Sequence, residues 1–264
     1  MKNLNTNTSQ LITTVDSNHV VTITLNNPRY MNALSEELTP YLRKILKKIS
    51  KDSKYKLLII RGQGRAFCSG GNIKKMSKGS IYVKSKTQKQ KIMDLEKKQK
   101  ELTGMIYNLK IPTLAVITGA VAGAGFALAL SCDLRIGNKD AFFVSNYSNI
   151  GLSGDYGISW FLSNLLGESK SKEIMFLNDR IYYEEALQIG LLNKLINKNF
   201  EKELQKITAS LSNQSTIALS YIKKNIIMSK NHSLDKAFKY EADHLIKCTY
   251  TQEHKNAVAN FKKK

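Results

Sequence analysis

The sequence contains little cysteine, little proline and a single tryptophan. The three cysteines, Cys68, Cys132 and Cys248, lie far apart in a chain of 264 residues. Their odd number and wide spacing exclude a disulfide framework and a zinc site, and they predict reduced thiols in a cytoplasmic protein without a bound metal. The segment from Met1 to Gln10 is polar and lacks the apolar core of a signal peptide.

Long apolar runs are also absent. The most apolar stretch, Leu114–Leu130, is interrupted by Thr118 and three glycines, and Asp133 follows soon after it. It is shorter than the ~20 residues that a membrane-spanning helix needs, so we predict no membrane segment. Hydrophobic residues make up 42% of the chain and charged residues 23%, which excludes general disorder and suits a buried core.

Acidic residues are scarce relative to basic ones. The chain has 21 Asp and Glu against 41 Lys and Arg, which gives a formal net charge of +20. This excess fits an anionic partner, or a lysine bias spread over a solvated surface. The most basic stretch, Lys84–Lys100, has no arginine and no interleaved aromatic residue, although surfaces that read nucleic acid use both. Nucleic acid is therefore the less favoured partner.

Hydrophobic periodicity predicts an α/β core followed by a helical region. The predicted strands are Leu11–Val15, Val20–Leu25, Lys56–Arg61, Thr113–Thr118, Asp133–Ile136, Ala141–Val144 and Leu191–Ile196. The predicted helices are one beginning near Ser35, then Leu95–Leu109, Gly123–Cys132, Trp160–Leu166, Ser169–Leu177, Glu184–Gln188, Lys202–Leu211, Ser215–Met228 and Leu234–Tyr250. We place the core at residues 1–200 and a helical oligomerisation region at residues 201–264.

Three glycine-rich segments are candidate ligand-binding loops. They are Arg65–Ile73 after a strand, Gly119–Phe126 between a strand and a helix, and Ile150–Gly157, which contains Asp155. Glycine leaves backbone N–H groups free to face an oxygen, and two such donors from separate loops would form an oxyanion hole. Taken singly, each of the first two also fits a tight packing turn, and Asp155 also fits a helix cap.

Five motifs in order carry a resemblance to a known family. They are Leu25–Pro28 with Asn32–Leu34; Ala66–Ile73; Ile111–Pro112 with Gly119, Gly123–Gly125 and Cys132–Asp133; Glu184–Asn193; and Glu253–Phe261. Together they span nearly the whole chain and resemble the crotonase superfamily, the enoyl-CoA hydratase/isomerase family. The resemblance implies an α/β fold, a spiral of ββα units with a C-terminal helical trimerisation region, assembled as a homotrimer or a dimer of trimers.

The resemblance also implies an acyl-CoA thioester as substrate, with no further cofactor. The thioester carbonyl would accept hydrogen bonds from the backbone N–H groups of Gly71 and Ala124, which would stabilise an enolate. The substrate-binding residues implied by the family are Ser69, Gly70, Asn72, Ile73, Gly123, Tyr147 and Trp160. The expected contacts to the CoA phosphates are Arg29, Lys74, Lys75 and Lys264.

The acidic positions decide which reaction is favoured. Hydratases of the family use two glutamates, and the matching positions here hold Ala127 and Tyr147, neither of which is a carboxylate. Asp155 falls where isomerase members carry a single acid, and one carboxylate suffices to move a double bond. We therefore expect a Δ3,Δ2-enoyl-CoA isomerase type of activity. Asp155 is expected in an apolar pocket, which would raise its pKa, lined by Phe126, Leu152 and Trp160.

Several alternatives stay open. Ser145 and Asn146 could position a water for hydration. Tyr147 could serve as a hydrogen-bonding group or a decarboxylase-type group, or only line the pocket. Dehalogenation through Asp155 would need an assisting histidine, yet all four histidines lie outside the core motifs. A non-specific RNA-binding member and an inactive scaffold are further alternatives. His244 and His254 are expected at the surface or in a subunit contact.

Overall fold

Two β-sheets organise the first two-thirds of the chain. The computed structural model describes residues 2–4, 8–71 and 86–261. The larger sheet has seven strands in the order β1-β2-β3-β4-β6-β8-β11, and the smaller has four in the order β10-β9-β7-β5. The strands are β1 Lys2–Asn3, β2 Leu11–Val15, β3 Val20–Leu25, β4 Leu57–Gly62, β5 Ala66–Cys68, β6 Thr113–Ile117, β7 Ala120–Ala122, β8 Leu134–Gly137, β9 Phe142–Val144, β10 Ile181–Tyr182 and β11 Lys194–Leu195.

The larger sheet is parallel from β3 onwards. Strand β3 pairs antiparallel with β2, whereas β3–β4, β4–β6 and β6–β8 are parallel pairs. Strand β4 is almost continuously apolar and is buried along nearly its whole length. Such a run is typical of a central parallel strand covered on both faces.

The smaller sheet repeats the connectivity of the larger one. Each of β4, β6 and β8 is followed by a three-residue strand of the smaller sheet, namely β5, β7 and β9. A helix follows after β7 and after β9. This arrangement is the spiral of ββα units that the family resemblance implies, and it confirms the predicted fold class.

Helices cover the sheets and form the end of the chain. Their bounds are α1 Leu38–Lys51, α2 Gln88–Gln99, α3 Ala124–Leu130, α4 Ile158–Leu177, α5 Tyr183–Gln188, α6 Phe200–Ser212, α7 Thr216–Ser229, α8 Leu234–Thr249 and α9 Gln252–Phe261. A π-helical turn, Lys100–Gly104, and a last turn, Met105–Tyr107, extend α2. The apolar pattern of α1 predicts a helix, and the structure explains why. Its buried apolar residues recur at helical spacing: Leu38, Leu42, Ile45, Leu46 and Ile49.

The C-terminal helices leave many large apolar side chains in contact with solvent. The exposed ones on α7 and α8 are Ile217, Ile222, Ile226, Leu234, Phe238, Leu245 and Ile246. Of the two alternatives expected for His244, a place at the surface is wrong. His244 is not at the surface but 3% exposed, because its ring stacks on Tyr221 at 4.3 Å and its Nδ1 bonds to Asn225.

None of the helices in the described ranges combines the length and the apolar character that crossing a membrane requires.

Candidate active site

The first glycine loop, Ser69–Gly71, directly follows β5. The Ser69 N–H donates to Met31 O at 3.0 Å, and the Leu34 N–H donates to Gly70 O at 2.8 Å. Gly70 has a φ of +84°, in the left-handed region that favours glycine. The loop is therefore held by the segment after β3, the segment that contains Arg29 in an exposed turn, Pro28–Tyr30.

The second glycine loop joins β7 to α3. The carbonyl of Gly123 accepts from the N–H groups of Phe126 and Ala127, so the first helical turn closes on that residue. Within the part of the chain that the structure describes, the N–H groups of Gly71 and Ala124 have no hydrogen-bond acceptor. Each loop thus offers one backbone donor that has no acceptor among the described residues.

The structure brings the two glycine loops into direct contact. A Cβ placed on Gly70 would lie 2.8 Å from Ala122 O and 2.9 Å from Ala124 N. A Cβ on Gly125 would lie 2.2 Å from Cys68 O. Both approaches are closer than a side chain allows, so the loops pack this tightly because glycine occupies each position. Their sequence segments alone do not reveal this contact.

Asp155 of the third segment forms a hydrogen-bonded pair with Tyr147, which lies just before that segment. The Tyr147 hydroxyl donates to Asp155 Oδ1 at 2.5 Å. Tyr147 is 5% exposed, and Asp155 is half-buried. Burial raises the pKa of the Asp155 carboxyl, and the hydrogen bond from Tyr147 opposes that rise. Burial, together with the nearby Asp155 charge, raises the pKa of the Tyr147 phenol far above its usual range.

This pair lies beside the two glycine loops. The position of a Cβ on Gly123 is 3.9 Å from Gly70 Cα and 4.0 Å from Tyr147 Cζ. The tip of the Tyr147 ring therefore faces Gly123, at a distance at which an added methyl group would just touch it. The Tyr147–Asp155 pair thus lies near the second glycine loop, which itself contacts the first loop.

An aromatic cavity of about 550 Å³ begins next to Asp155. Tyr156 and Gly157, which follow Asp155 in the chain, form part of its wall. Tyr107 meets the Trp160 ring edge-on at 5.2 Å, and Thr103 of the π-helical turn donates to Tyr156 O at 2.8 Å. The full lining is Glu96, Gln99, Lys100, Thr103, Gly104, Tyr107, Tyr156, Gly157, Trp160 and Phe161.

Three residues were expected to line an apolar pocket around Asp155, and the structure contradicts two of them. Trp160 lines the cavity next to Tyr156, but Asp155 is not among the residues that line it, so a pocket around Asp155 stays a prediction. Phe126 does not line the cavity, because it is fully buried and packs against Phe143 at 5.1 Å between ring centres. Leu152 does not line it either, because it lies on an exposed turn, 45% exposed. Sequence reasoning missed Thr103, Tyr107 and Phe161, since no local motif links those positions to Asp155.

The structure also describes Ala127 and Cys68, and it bears on a possible metal site. Ala127 is fully buried in α3. Burial raises the pKa of the Cys68 thiol to about 12, so this cysteine is protonated at neutral pH and is a poor nucleophile. Among residues 2–4, 8–71 and 86–261, no cluster of three or more His, Cys, Asp or Glu side chains is arranged to hold a metal ion. Asn72, Ile73, Lys74, Lys75 and Lys264 lie outside the described residues.

Comparison with known proteins agrees with the fold and identifies the family. Residues 16–264 match the family model described as enoyl-CoA hydratase/isomerase. The chain is 26% identical to 1,2-epoxyphenylacetyl-CoA isomerase of Escherichia coli, over 92% of this chain and 91% of that protein. It is also 26% identical to the short-chain-enoyl-CoA hydratase of Clostridium acetobutylicum, over 92% of this chain and 90% of that protein.

A solved structure shares the same architecture along almost the whole chain. The structure of an enoyl-CoA hydratase from Polaromonas sp. JS666 superposes with a TM-score of 0.84 at 27% sequence identity. The match covers 95% of this chain and 96% of that one. With the family model, the two glycine loops and the ββα spiral in agreement, the chain belongs to the enoyl-CoA hydratase/isomerase family of the crotonase superfamily.

Proposed function

We propose that this protein moves a carbon–carbon double bond in an enoyl-CoA thioester, as a Δ3,Δ2-enoyl-CoA isomerase does. The observation that carries the proposal is the Asp155 carboxylate, which Tyr147 holds near the second glycine loop. Asp155 stands there hydrogen-bonded to Tyr147, while the two positions where family hydratases carry glutamates hold Ala127 and Tyr147. The family acts on acyl-CoA thioesters, and the relatives include both isomerases and hydratases, so the choice rests on these side chains.

The proposed oxyanion hole consists of the Gly71 and Ala124 N–H groups. The thioester oxygen would accept from both donors, and the charge that develops on it during enolate formation is stabilised by preorganised dipoles. Gly70 and Gly125 support this arrangement because they allow the two loops to touch. The side chains at these positions stay small since the backbone supplies the donors.

Asp155 supplies the proton transfers. Its carboxylate removes a proton from the α-carbon of a 3-enoyl thioester, and the electron pair moves into a dienolate held by the two N–H groups. The protonated carboxyl then returns the proton to the γ-carbon, which gives the 2-enoyl thioester with no net gain or loss of atoms. A carboxyl whose pKa is raised by burial is suited to both halves of this cycle, because an acid/base works best near the ambient pH.

Hydration is less well supported by the side chains present. Water addition needs one group to activate water and another to deliver the α-proton. Ser145, a candidate for positioning that water, is fully buried and donates its hydroxyl to Asn178 at 2.5 Å. Its hydrogen-bonding capacity is directed into the core rather than into the cleft.

The remaining binding contacts are also proposals. The acyl group would extend into the aromatic cavity beside Trp160, and Ser69, Gly70 and Gly123 would border the thioester. Arg29, from the exposed turn that holds the first loop, would meet a CoA phosphate, with Lys74, Lys75 and Lys264 as further candidates. The exposed apolar side chains of α7 and α8 support assembly as a homotrimer or a dimer of trimers.

The test is a panel of 2-enoyl-, 3-enoyl- and 3-hydroxyacyl-CoA esters followed by mass spectrometry. We expect exchange between the 2-enoyl and 3-enoyl isomers with no change in mass. Asp155→Asn should reduce this exchange by about 10²-fold or more, because general acid–base groups contribute about 10²–10⁴-fold. Asp140→Asn is the matched control, since Asp140 is an exposed carboxylate that bonds to Asn138. Addition of water mass, or near-normal exchange by Asp155→Asn, would refute the proposed function.

A further inference from the structure

We propose that Tyr147 is a positioning residue for Asp155. Its phenol holds Oδ1 of that carboxylate, so that Oδ2 is the oxygen that takes up and returns the substrate proton. This inference rests on the proposed function. It assigns to Tyr147 a role in holding the catalytic carboxylate, which goes beyond lining the pocket.

The first argument is the asymmetry of the Asp155 carboxylate. Oδ1 accepts the Tyr147 hydroxyl at 2.5 Å. Oδ2 has no hydrogen-bond partner in the described ranges. A carboxylate with one oxygen held and the other free presents its free lone pairs in a defined direction. Proton transfer to carbon depends on such alignment, because misplacement of a reacting group by about 1 Å can cost about 10²-fold in rate.

The second argument is that the backbone is held at both ends of the pair. The Ile150 and Leu152 N–H groups donate to Tyr147 O at 3.1 and 3.0 Å. At the other end, the Ile158 N–H donates to Asp155 O at 3.2 Å. Thr103 adds the bond to Tyr156 O that ties this segment to the wall of the cavity. The Tyr147–Asp155 bond therefore joins two anchored points of one loop.

The third argument concerns the other titratable groups near the pair. Tyr156 lies beside Asp155, and burial raises the pKa of its phenol to about 12. The Cys68 thiol is protonated at neutral pH, as described above. The positive charge of Arg43 opposes the rise in the pKa of the Tyr156 phenol. Arg43 also forms an ion pair with Glu101 at 3.6 Å. Tyr147 is thus the group that opposes the effect of burial on the Asp155 carboxyl.

The state of the Tyr147 phenol separates positioning from proton transfer. Its pKa is raised, so the hydroxyl stays protonated over the working range and remains a donor. If it donated its proton to the substrate, it would leave a phenolate beside the Asp155 charge in a buried site. That charge pair is unfavourable, because like charges in a shared buried site repel.

The experiment compares the pH dependence of kcat for isomerisation in three proteins. Activity needs ionised Asp155, so kcat rises with pH through the pKa of that carboxyl. This rise is the acidic limb of the pH profile. Tyr147→Phe removes the donor, and we expect the acidic limb to move to higher pH by about one to two units, with KM changed less than about threefold. A 3-fluorotyrosine at position 147 is a stronger donor of the same shape and should move the limb to lower pH. Tyr156→Phe, which removes a neighbouring phenol that does not bond to Asp155, should leave the position of the limb unchanged.

The outcomes distinguish this inference from the proposed function. An acidic limb that stays in place in folded Tyr147→Phe, or 3-fluorotyrosine moving it upward, would overturn the positioning role while isomerase activity stands. Loss of kcat at every pH to the level of Asp155→Asn would also overturn it, because Tyr147 would then carry the proton itself. If Asp155→Asn keeps near-normal exchange, the proposed function fails first. Should Tyr147→Phe not fold, the 3-fluorotyrosine shift alone decides.

Discussion

The contact between the two glycine loops can be tested with Gly70→Ala. Gly70 has a φ of +84°, and the added Cβ would lie 2.8 Å from Ala122 O and 2.9 Å from Ala124 N. The left-handed backbone costs an alanine about 1–2 kcal/mol. Forcing a methyl group against backbone atoms costs about 1–3 kcal/mol more. We expect the free energy of unfolding to fall by about 2–5 kcal/mol in total.

The same substitution should affect catalysis out of proportion to stability. Relief of the contact moves the Ala124 N–H, one of the two proposed donors to the thioester oxygen. Loss of one oxyanion donor costs about 10²–10³ in kcat, so a displaced donor should reduce kcat by about 10-fold or more. The effect should appear in kcat more than in KM, because the interaction strengthens in the transition state.

Gly190→Ala is the matched control for this prediction. Gly190 has the same φ of +84°, but nothing lies within 4 Å of its added Cβ. It should therefore show only the backbone cost of about 1–2 kcal/mol and unchanged kcat. Urea unfolding gives the stabilities and steady-state isomerisation gives the rates. If Gly70→Ala is no less stable and no less active than Gly190→Ala, the loops do not meet as described.

Two further predictions concern stability and the cavity wall. Burial lowers the pKa of His244 in the folded chain. Below about pH 6.5, the ordinary histidine value, the unfolded chain therefore binds a proton more readily than the folded chain does. The free energy of unfolding should fall as the pH drops below that value. Urea unfolding of wild type and His244→Gln between pH 5 and 7.5 checks this, and an equally steep loss in the variant would contradict it. Thr103→Val removes the donor to Tyr156 O without changing side-chain shape, and it should cost about 1 kcal/mol and raise KM. An unchanged unfolding midpoint and KM would mean that this bond does not support the cavity.

Local patterns predicted most of the longer elements. The alternation of Val20–Leu25 predicted β3 with its observed bounds, and the helical spacing after Ser35 predicted α1. The predicted break between two helices before Ser169 lies at Gly167 in α4, where φ is +78°. These elements could be predicted from the sequence because their apolar residues repeat with the period of the structure they form.

The elements that shape the site carried no such signal. Strands β5 and β7 of the smaller sheet have three residues each, too short to show a period, and they were not predicted, whereas Ala141–Val144 predicted β9. Helix α9 was also missed, although its residues contributed to the family motifs. Phe126 was expected in the pocket because it is apolar and near the second loop in sequence. The direction in which α3 packs turns it into the core instead.

The chemistry available to this protein was determined by the sequence itself. It supplies two glycine loops in family order, no carboxylate at positions 127 and 147, and one aspartate at position 155. Tertiary structure alone decided that Gly70 meets Ala124 and that the Tyr147 hydroxyl bonds to Asp155. Local patterns record which face of an element is apolar, but a contact between separate elements depends on how the sheets and helices pack. The excess of lysine is prominent in the composition, but the two glycine loops and the Tyr147–Asp155 pair contain no lysine. Their chemistry comes from backbone N–H groups, a phenol and a carboxylate.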